Sequence, residues 1–505
     1  MVFLGIDLGT SLCKAIAVDA RGAVVGKATR SYPSRTPRPG WSEQDPERWW
    51  RATDEAVAEL TAGLPRRGRE VAGIGLCGQM HGLTPLDPRG NVLRSAILWN
   101  DQRSAPQCDR ITERAGGLEK LIELTGNRML PGYTGGKIVW LRENEPEVHQ
   151  HLAHVLNPKD YLRYRMNGQF TTDVTDASGT GLFDVARRRW CHELLDLLDI
   201  DPALLPDVVE SPEPTGPVHP DLAQRWNIPA GTQVHGGGGD AVVQTTAMGL
   251  VEPGAVGFTL GTAGIVAAAH DTCPGNPGGR LQISCGNAPG RWHAMGVTLS
   301  AGGALQWLRD ALQPLLGDDQ LSFERLIDLA RATPEGSGGL LFLPYLLGER
   351  CPHLAPEATA SWVGLTPNHT VGHMARSVVE GVLLNMRAIL DVCAASGIRR
   401  DRVLVSGGAT GEEFWLTLLA DVLAQEITTV TGATEGGAYG AALVAGTGAG
   451  AWSTVEEAVS VVAAERTYRP DRDRASTYSR VFAGHSRLHD DLGGAYADTA
   501  LAGQA

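Results

Sequence analysis

The chain has 505 residues, too many for a single hydrophobic core, so two or more domains are expected. With 43% hydrophobic and 20% charged residues it has the balance of a soluble globular protein. Lysine plus arginine total 44 against 57 aspartate plus glutamate, and the net charge of −13 opposes non-specific nucleic-acid binding, which needs a basic face, and docking on an anionic membrane.

The first thirty residues predict three strands: VFLGID from Val2, CKAIAVDA from Cys13 and AVVGKATR from Ala23, joined by the turns LGTS and Arg21-Gly22. A hairpin, not a helix, follows the first glycine turn, which separates it from a dinucleotide-binding or P-loop start. This N-terminus lacks the basic segment and apolar core of a signal peptide. Eight cysteines are scattered from Cys13 to Cys393 with no C-x-x-C pair, the pattern of reduced thiols, and a cytoplasmic location is expected.

After a proline-rich loop, Asp45-Pro46 starts a helix that runs to about Leu60, with Asp as cap and Pro at the first helical position. Glu70 to Leu76 is a buried strand ending in GQMHG, Gly78 to Gly82. Gly73 to Gly78 formally fits G-x-G-x-x-G, but the segment does not open a helix, so the dinucleotide reading is rejected. A hairpin around Pro88-Arg89-Gly90 follows, then AILWNDQR from Ala96, helices at Lys137 to Asn144 and Lys159 to Met166, and a polar loop TTDVTDASGT from Thr171 to Thr180. Proline and acidic residues become dense between Pro202 and Pro229, and the domain boundary is placed there, with one domain at 1–228 and the other at 229–505.

The second half is expected to open with a short strand, Gln233 to Gly236, and the run HGGGGDA, His235 to Ala241. Four glycines let a ligand reach the main chain and deliver one carboxylate, Asp240, at the strand end. The turn LGTAG, Leu260 to Gly264, echoes DLGTS, Asp7 to Ser11. In each, a glycine lets the main chain turn beneath a phosphate while hydroxyls add donors, and Asp7 stands where Mg²⁺ would be held through water. The residues therefore suggest a general base, Asp240, at a cleft between two halves that each supply a phosphate-binding turn. A helix from Ala301 to Leu312, the strand LLFLPYL and a long helix from Gly372 to Ala395 come next. SGGAT, Ser406 to Thr410, lies between a strand and a helix and suits close approach of a flat nucleotide to the backbone. No apolar stretch reaches the length of a membrane span; the longest without charge, Gly254 to Ala269, is interrupted by glycine and threonine.

Taken together, these residues resemble the FGGY carbohydrate kinases and, within them, the xylulokinase branch. GIDLGTS, WSEQDPERWW, CGQMHG, AILWNDQR, NPKDYLRYRMNG, TDVTDASGT, SAGGALQWLRD, FLPYLLGERCPH and GLTPNHTVGHMARSVVEG occur in that order over nearly the whole chain. The resemblance implies two actin-like ATPase (ribonuclease-H-like) α/β domains with an interdomain cleft holding ATP and Mg²⁺. It implies that Asp240 is the catalytic base acting on a bound pentulose, D-xylulose first, with Met80 and His81 contacting the sugar. Asp7 would serve the metal, and Thr10, Ser11, Gly261 and Thr262 the phosphates. Gly302, Gln306, Gly407, Gly408 and Glu412 would serve the nucleoside. A homodimer is a family expectation, not a reading of the residues.

One position departs from the pattern. Xylulokinases usually carry Asn directly after the catalytic Asp, and here that residue is Ala241. An unpaired sugar hydroxyl in a closed site costs on the order of 1–3 kcal/mol, so another ketopentose or a polyol is an alternative substrate. A non-catalytic actin-like ATPase and a sugar sensor are the alternatives from other classes.

Overall fold

A computed structural model describes residues 1–316, 321–431 and 435–502. The three predicted N-terminal strands form as β1 (Val2–Leu8), β2 (Leu12–Asp19) and β3 (Val24–Ser31), a meander whose alternating inward residues are apolar. β4 (Val71–Gly78) pairs parallel to β1 on its other side. The helix between β3 and β4, α1 (Pro46–Gly63), begins where Asp45 accepts a hydrogen bond from the Glu47 N–H at 3.0 Å. It buries Trp49, Ala56, Val57 and Leu60 on the sheet.

The sheet is completed by β5 (Pro214–Pro217), β6 (Gln233–His235) and β7 (Gly238–Gly239), giving the order β5-β6-β4-β1-β2-β3, with β7 also on β4. The second sheet contains β8 (Ala255–Leu260), β9 (Gly264–His270), β10 (Gln282–Cys285), β11 (Trp292–Thr298), β12 (Arg402–Ser406), β13 (Ile427–Val430) and β14 (Ala464–Tyr468), ordered β10-β11-β9-β8-β12-β13-β14. Each sheet thus has an antiparallel hairpin that ends in a glycine turn, flanked by parallel strands. Among the described residues no helix is long and apolar enough to cross a membrane.

Two expectations are corrected. Gln233–His235 and Gly238–Gly239 do not open the second half; they hydrogen-bond to β4, so the first sheet extends past residue 228 and the second begins at Ala255. Thr171–Thr180 is not a polar loop but a strand, Thr171–Asp173, and a helix, Val174–Ser178, both buried. Its charges are neutralised inside the protein, as described below.

The chain also returns to the first sheet late. The helix Gly437–Gly448 lies across β1 and β4 and against the helix Asp240–Ala247. A Cβ on Gly5 would overlap the Ala438 carbonyl, and one on Gly75 the Ala441 carbonyl. Glycine in those strands is therefore a packing requirement.

Candidate active site

Asp7, next to last in β1, is in register with Cys77 of β4, and Cys77 is in register with Gly238 of β7. This brings Asp7 and Asp240 to the same end of the first sheet. The first glycine turn is closed by Gly9 N–H donating to Leu12 O at 3.0 Å. Three side chains brace it: Tyr32 OH donates to Gly9 O at 2.5 Å, Gln44 Nε2 to Thr10 O at 2.6 Å, and Trp99 Nε1 to Thr10 Oγ1 at 3.0 Å. Gln44 in turn accepts from Trp49 Nε1 at 2.8 Å and from Gln79 Nε2 at 3.0 Å. Ser11 is left exposed at the turn's tip.

The glycine run is held from below by a buried polar network. Lys159 Nζ, fully buried, meets Asp160 at 2.5 Å, Asp173 at 2.8 Å and Asp176 at 3.2 Å. Arg163 bonds to Asp160 and to the Gly236 carbonyl. Thr175 Oγ1 accepts from Gly239 N–H at 2.9 Å and donates to Asp173 Oδ2 at 2.6 Å. Asn287, from beyond β10, donates to Ser211 Oγ at 3.0 Å and to Gly237 O at 3.3 Å. Burial raises the Asp176 carboxyl, against the pull of Lys159. Buried charges persist only when paired and hydrogen-bonded, and the pairing explains how so polar a segment lies inside.

Asp240 is the first residue of its helix, and its Oδ1 accepts from Ala241 N–H at 2.8 Å. Burial pushes its carboxyl up to about 7, and the negative charge of Asp7 adds to the rise; the N–H groups of Ala241 and Met80 pull the other way. Asp7 is also raised, by burial, opposed by the Cys77 thiol at 3.4 Å and by Lys14.

Met80 and His81 follow β4. His81 has φ 69°, an uncommon conformation for a residue with a side chain. Its ring stacks on Tyr133 with centroids 4.6 Å apart, and Nδ1 lies 2.6 Å from Gly179 O. A carbonyl partner makes Nδ1 the donor and leaves Nε2 as an acceptor. Burial depresses the His81 pKa to about 3, so the ring is neutral. The His81 carbonyl accepts from Lys137 Nζ at 2.8 Å, and Lys137 also donates to Gly132 O at 2.6 Å. Burial lowers this lysine to about 7. Met80, His81, Tyr133 and Gly179 wall a small pocket closed by Ala241 and by Gln282, Ser284 and Met295 of the second sheet. A larger cavity, at Met248, Asp401, Glu426 and Val459, lies toward the opposite ends of the second sheet's strands and contains none of the expected residues.

The second glycine turn joins β8 to β9. Gly302 N–H donates to Gly261 O at 2.8 Å and Gly303 N–H to Thr262 O at 3.1 Å, so the helix Gly302–Leu312 starts on this turn. Gly407, with φ 100°, lies against it; a Cβ there would come within 2.5 Å of Leu260 O. Gly261, Thr262, Gly302, Gly407 and Gly408 thus meet at one end of the second sheet. Gln306 is exposed one turn into its helix. The Glu412 carboxylate is engaged by Arg331 at 2.8 Å and by the N-terminus of the following helix, Glu413–Leu423.

Gln44, Gln79 and Trp99 lie inside motifs quoted above and Lys137 opens a predicted helix, but the bracing roles of these four, and the place of Tyr133 beside His81, emerge from the structure, because each acts on a residue far away in sequence. Trp99, exposed yet bonded to Thr10, is the one whose size could have flagged it.

Comparison with known proteins agrees with this geometry. The profile of the FGGY family of carbohydrate kinases, N-terminal domain, matches residues 2–249, and that of the C-terminal domain matches residues 257–449. The chain is 37% identical over 491 residues to the xylulose kinase of Escherichia coli (strain K12), covering 97% of this chain and 99% of that protein. The crystal structure of a xyloylose kinase from Brucella ovis superposes with a TM-score of 0.91 at 33% identity, covering 98% of this chain and 100% of that one. The gluconate kinase of Lactobacillus acidophilus superposes equally well, with a TM-score of 0.92 at 25% identity over 99% of each chain. With two sheets of matching topology, a glycine turn at the tip of each hairpin and a carboxylate between them, the chain belongs to the FGGY family of carbohydrate kinases, ATP-dependent enzymes of two actin-like domains.

Proposed function

We propose that the protein transfers the terminal phosphoryl group of ATP to a pentulose, D-xylulose before others, with Asp240 as general base. The single observation that carries the reading is the placement of Asp240, with its carboxyl near 7, beside the pocket of Met80 and His81 and at the end of the sheet that carries the first glycine turn. The names of the relatives, xylulose kinases at 31–38% identity over nearly their full length, support the choice of sugar.

Phosphoryl transfer passes through a loose transition state, so the protein's work is positioning and charge stabilisation. The Met80–His81 pocket orients the sugar, with His81 Nε2 accepting from a hydroxyl. Asp240 takes the proton from the attacking hydroxyl, C5 of a 2-ketopentose. The turns at Asp7 to Ser11 and Leu260 to Gly264 aim backbone N–H groups at the phosphates. Approach of the two lobes excludes water, the competing acceptor. Asp7 fits a hard cation: among the described residues its carboxylate has a thiol at 3.4 Å as its side-chain hydrogen-bond partner and is raised by burial, so it gains from a metal charge. Mg²⁺ held there would neutralise charge on the phosphate oxygens.

Ala241 favours a second reading, a kinase for another ketopentose or a polyol. Its methyl faces the pocket where an amide would serve a hydroxyl. Coupled ADP release measured over pentuloses, pentitols, tetritols and glycerol tests both. A pentulose with the highest kcat/KM is expected; ATP turnover indifferent to every sugar would overturn the assignment.

A further inference from the structure

Lys137 stands where a lysine is costly. Its side chain is fully buried, and among the described residues no carboxylate pairs with it. Asp101, whose negative charge it feels, is held by Arg103 Nε at 2.9 Å and Nη2 at 2.7 Å. Burying an ammonium costs free energy unless hydrogen bonds replace the water it loses. An apolar side chain of similar volume would fill the same space without that cost.

Both acceptors that hold this ammonium belong to the wall of the Met80–His81 pocket. Lys137 Nζ donates to His81 O at 2.8 Å and to Gly132 O at 2.6 Å. The Gly132 carbonyl is in the peptide that leads into Tyr133, whose ring is stacked on His81. One ammonium therefore ties the main chain beneath both members of the stack. The other donor to His81 O is weaker: Thr134 Oγ1 has a single hydrogen and lies 3.2 Å from His81 O and 3.3 Å from Asn157 Oδ1. His81 needs the support, because its φ of 69° is a strained conformation that persists only where the surroundings hold it. Lys137 does not itself line the pocket, so any effect on a ligand passes through the residues it holds.

We propose that Lys137 is a positioning residue for the sugar: by holding the His81 and Gly132 carbonyls together, it fixes the His81 ring against Tyr133 with Nε2 free to meet a sugar hydroxyl. This rests on the sugar-kinase reading above. Its influence ends at the sugar half of the site. The turn from Asp7 to Ser11 is braced separately by Tyr32, Gln44 and Trp99, so the phosphate side stands without Lys137.

The test is steady-state kinetics of Lys137→Met, His81→Asn and the double variant with D-xylulose and ATP. Lys137→Met should raise the sugar KM at least tenfold and leave the ATP KM within twofold. Added to His81→Asn, it should raise the sugar KM less than twofold further, because the ring through which Lys137 acts is already gone. Lys137→Gln keeps an N–H donor and removes the buried charge; it should give a smaller rise, and it carries the same comparison if Lys137→Met does not fold. A sugar KM within twofold of the native value, equal weakening of sugar and ATP, or effects of the two substitutions that multiply in full would overturn the proposal. The unaltered enzyme phosphorylating no pentulose would instead overturn the reading on which it rests.

Discussion

Asp7 and Asp240 flank the carboxyl end of β4, and the negative charge of Asp7 is one of the two forces that lift the Asp240 carboxyl to about 7. A group held near neutrality can both accept a proton from an alcohol and release it again, the property a general base needs.

Asp240→Asn should lower kcat by about 10²–10⁴-fold, the range for a lost general base, while the ATP KM stays near normal. Steady-state kinetics at saturating sugar measure it. More than a tenth of the native rate remaining would remove Asp240 from the role of base.

The pH dependence has a defined sign. Only the ionised carboxylate can act as base, so kcat/KM should fall as pH drops through about 7. Stability runs the opposite way. Folding raises the Asp240 pKa above its ordinary value of 3.8, so the protonated form favours the native state. That contribution is complete below the unfolded value and is lost as pH rises through about 7. Without divalent cation, Asp240→Asn should therefore raise Tm at pH 8 relative to the native protein and do so less at pH 5. The ceiling on the effect is about 4 kcal/mol, at about 1.4 kcal/mol for each of about three units.

His81 should govern the sugar and not the nucleotide. His81→Asn, chosen because Asn tolerates a positive φ, should raise the sugar KM more than the ATP KM. Because the ring stays neutral down to about 3, His81 should add no titration to the sugar KM between pH 5 and 9. Equal effects on the two substrates would place it outside the pocket.

Lys159→Met should destabilise strongly. It leaves Asp160, Asp173 and Asp176 buried without their shared cation, a loss of about 3–5 kcal/mol for breaking a buried pair. Denaturant unfolding reads it out. A cost below about 1 kcal/mol would mean that the network is not needed beneath the glycine run.

Ala241→Asn restores an amide at the pocket wall and should raise kcat/KM for D-xylulose relative to other pentuloses. An unchanged profile across the panel would show that the site is already satisfied without it.

Local pattern made much of this legible. The β1-β2-β3 meander, the Asp45–Pro46 helix start and the glycine turns form within a few residues of one another, and the sequence carries their signals directly. Asp240, Met80 and His81 stand out in the sequence because glycine runs and a short motif surround them, and the structure brings the three together. What escaped involves long-range pairing. Thr171–Thr180 is rich in Thr and Asp and reads as solvent-exposed; partners outside the segment, Lys159, Asn157, Ser211 and Gly239 among them, make it an interior element. Gln233–Gly239 reads as a fresh start because its partner, β4, lies some hundred and sixty residues earlier.

The helix Gly437–Gly448, packed glycine to backbone on β1 and β4, has a consequence for biosynthesis. Once the ribosome has made residue 249, every strand of the first sheet exists, yet one of its faces stays bare until two hundred further residues have been added. The N-terminal lobe cannot mature on its own during translation, and cutting the chain between the two sheets should yield an insoluble front half that regains solubility only when the rear half is co-expressed.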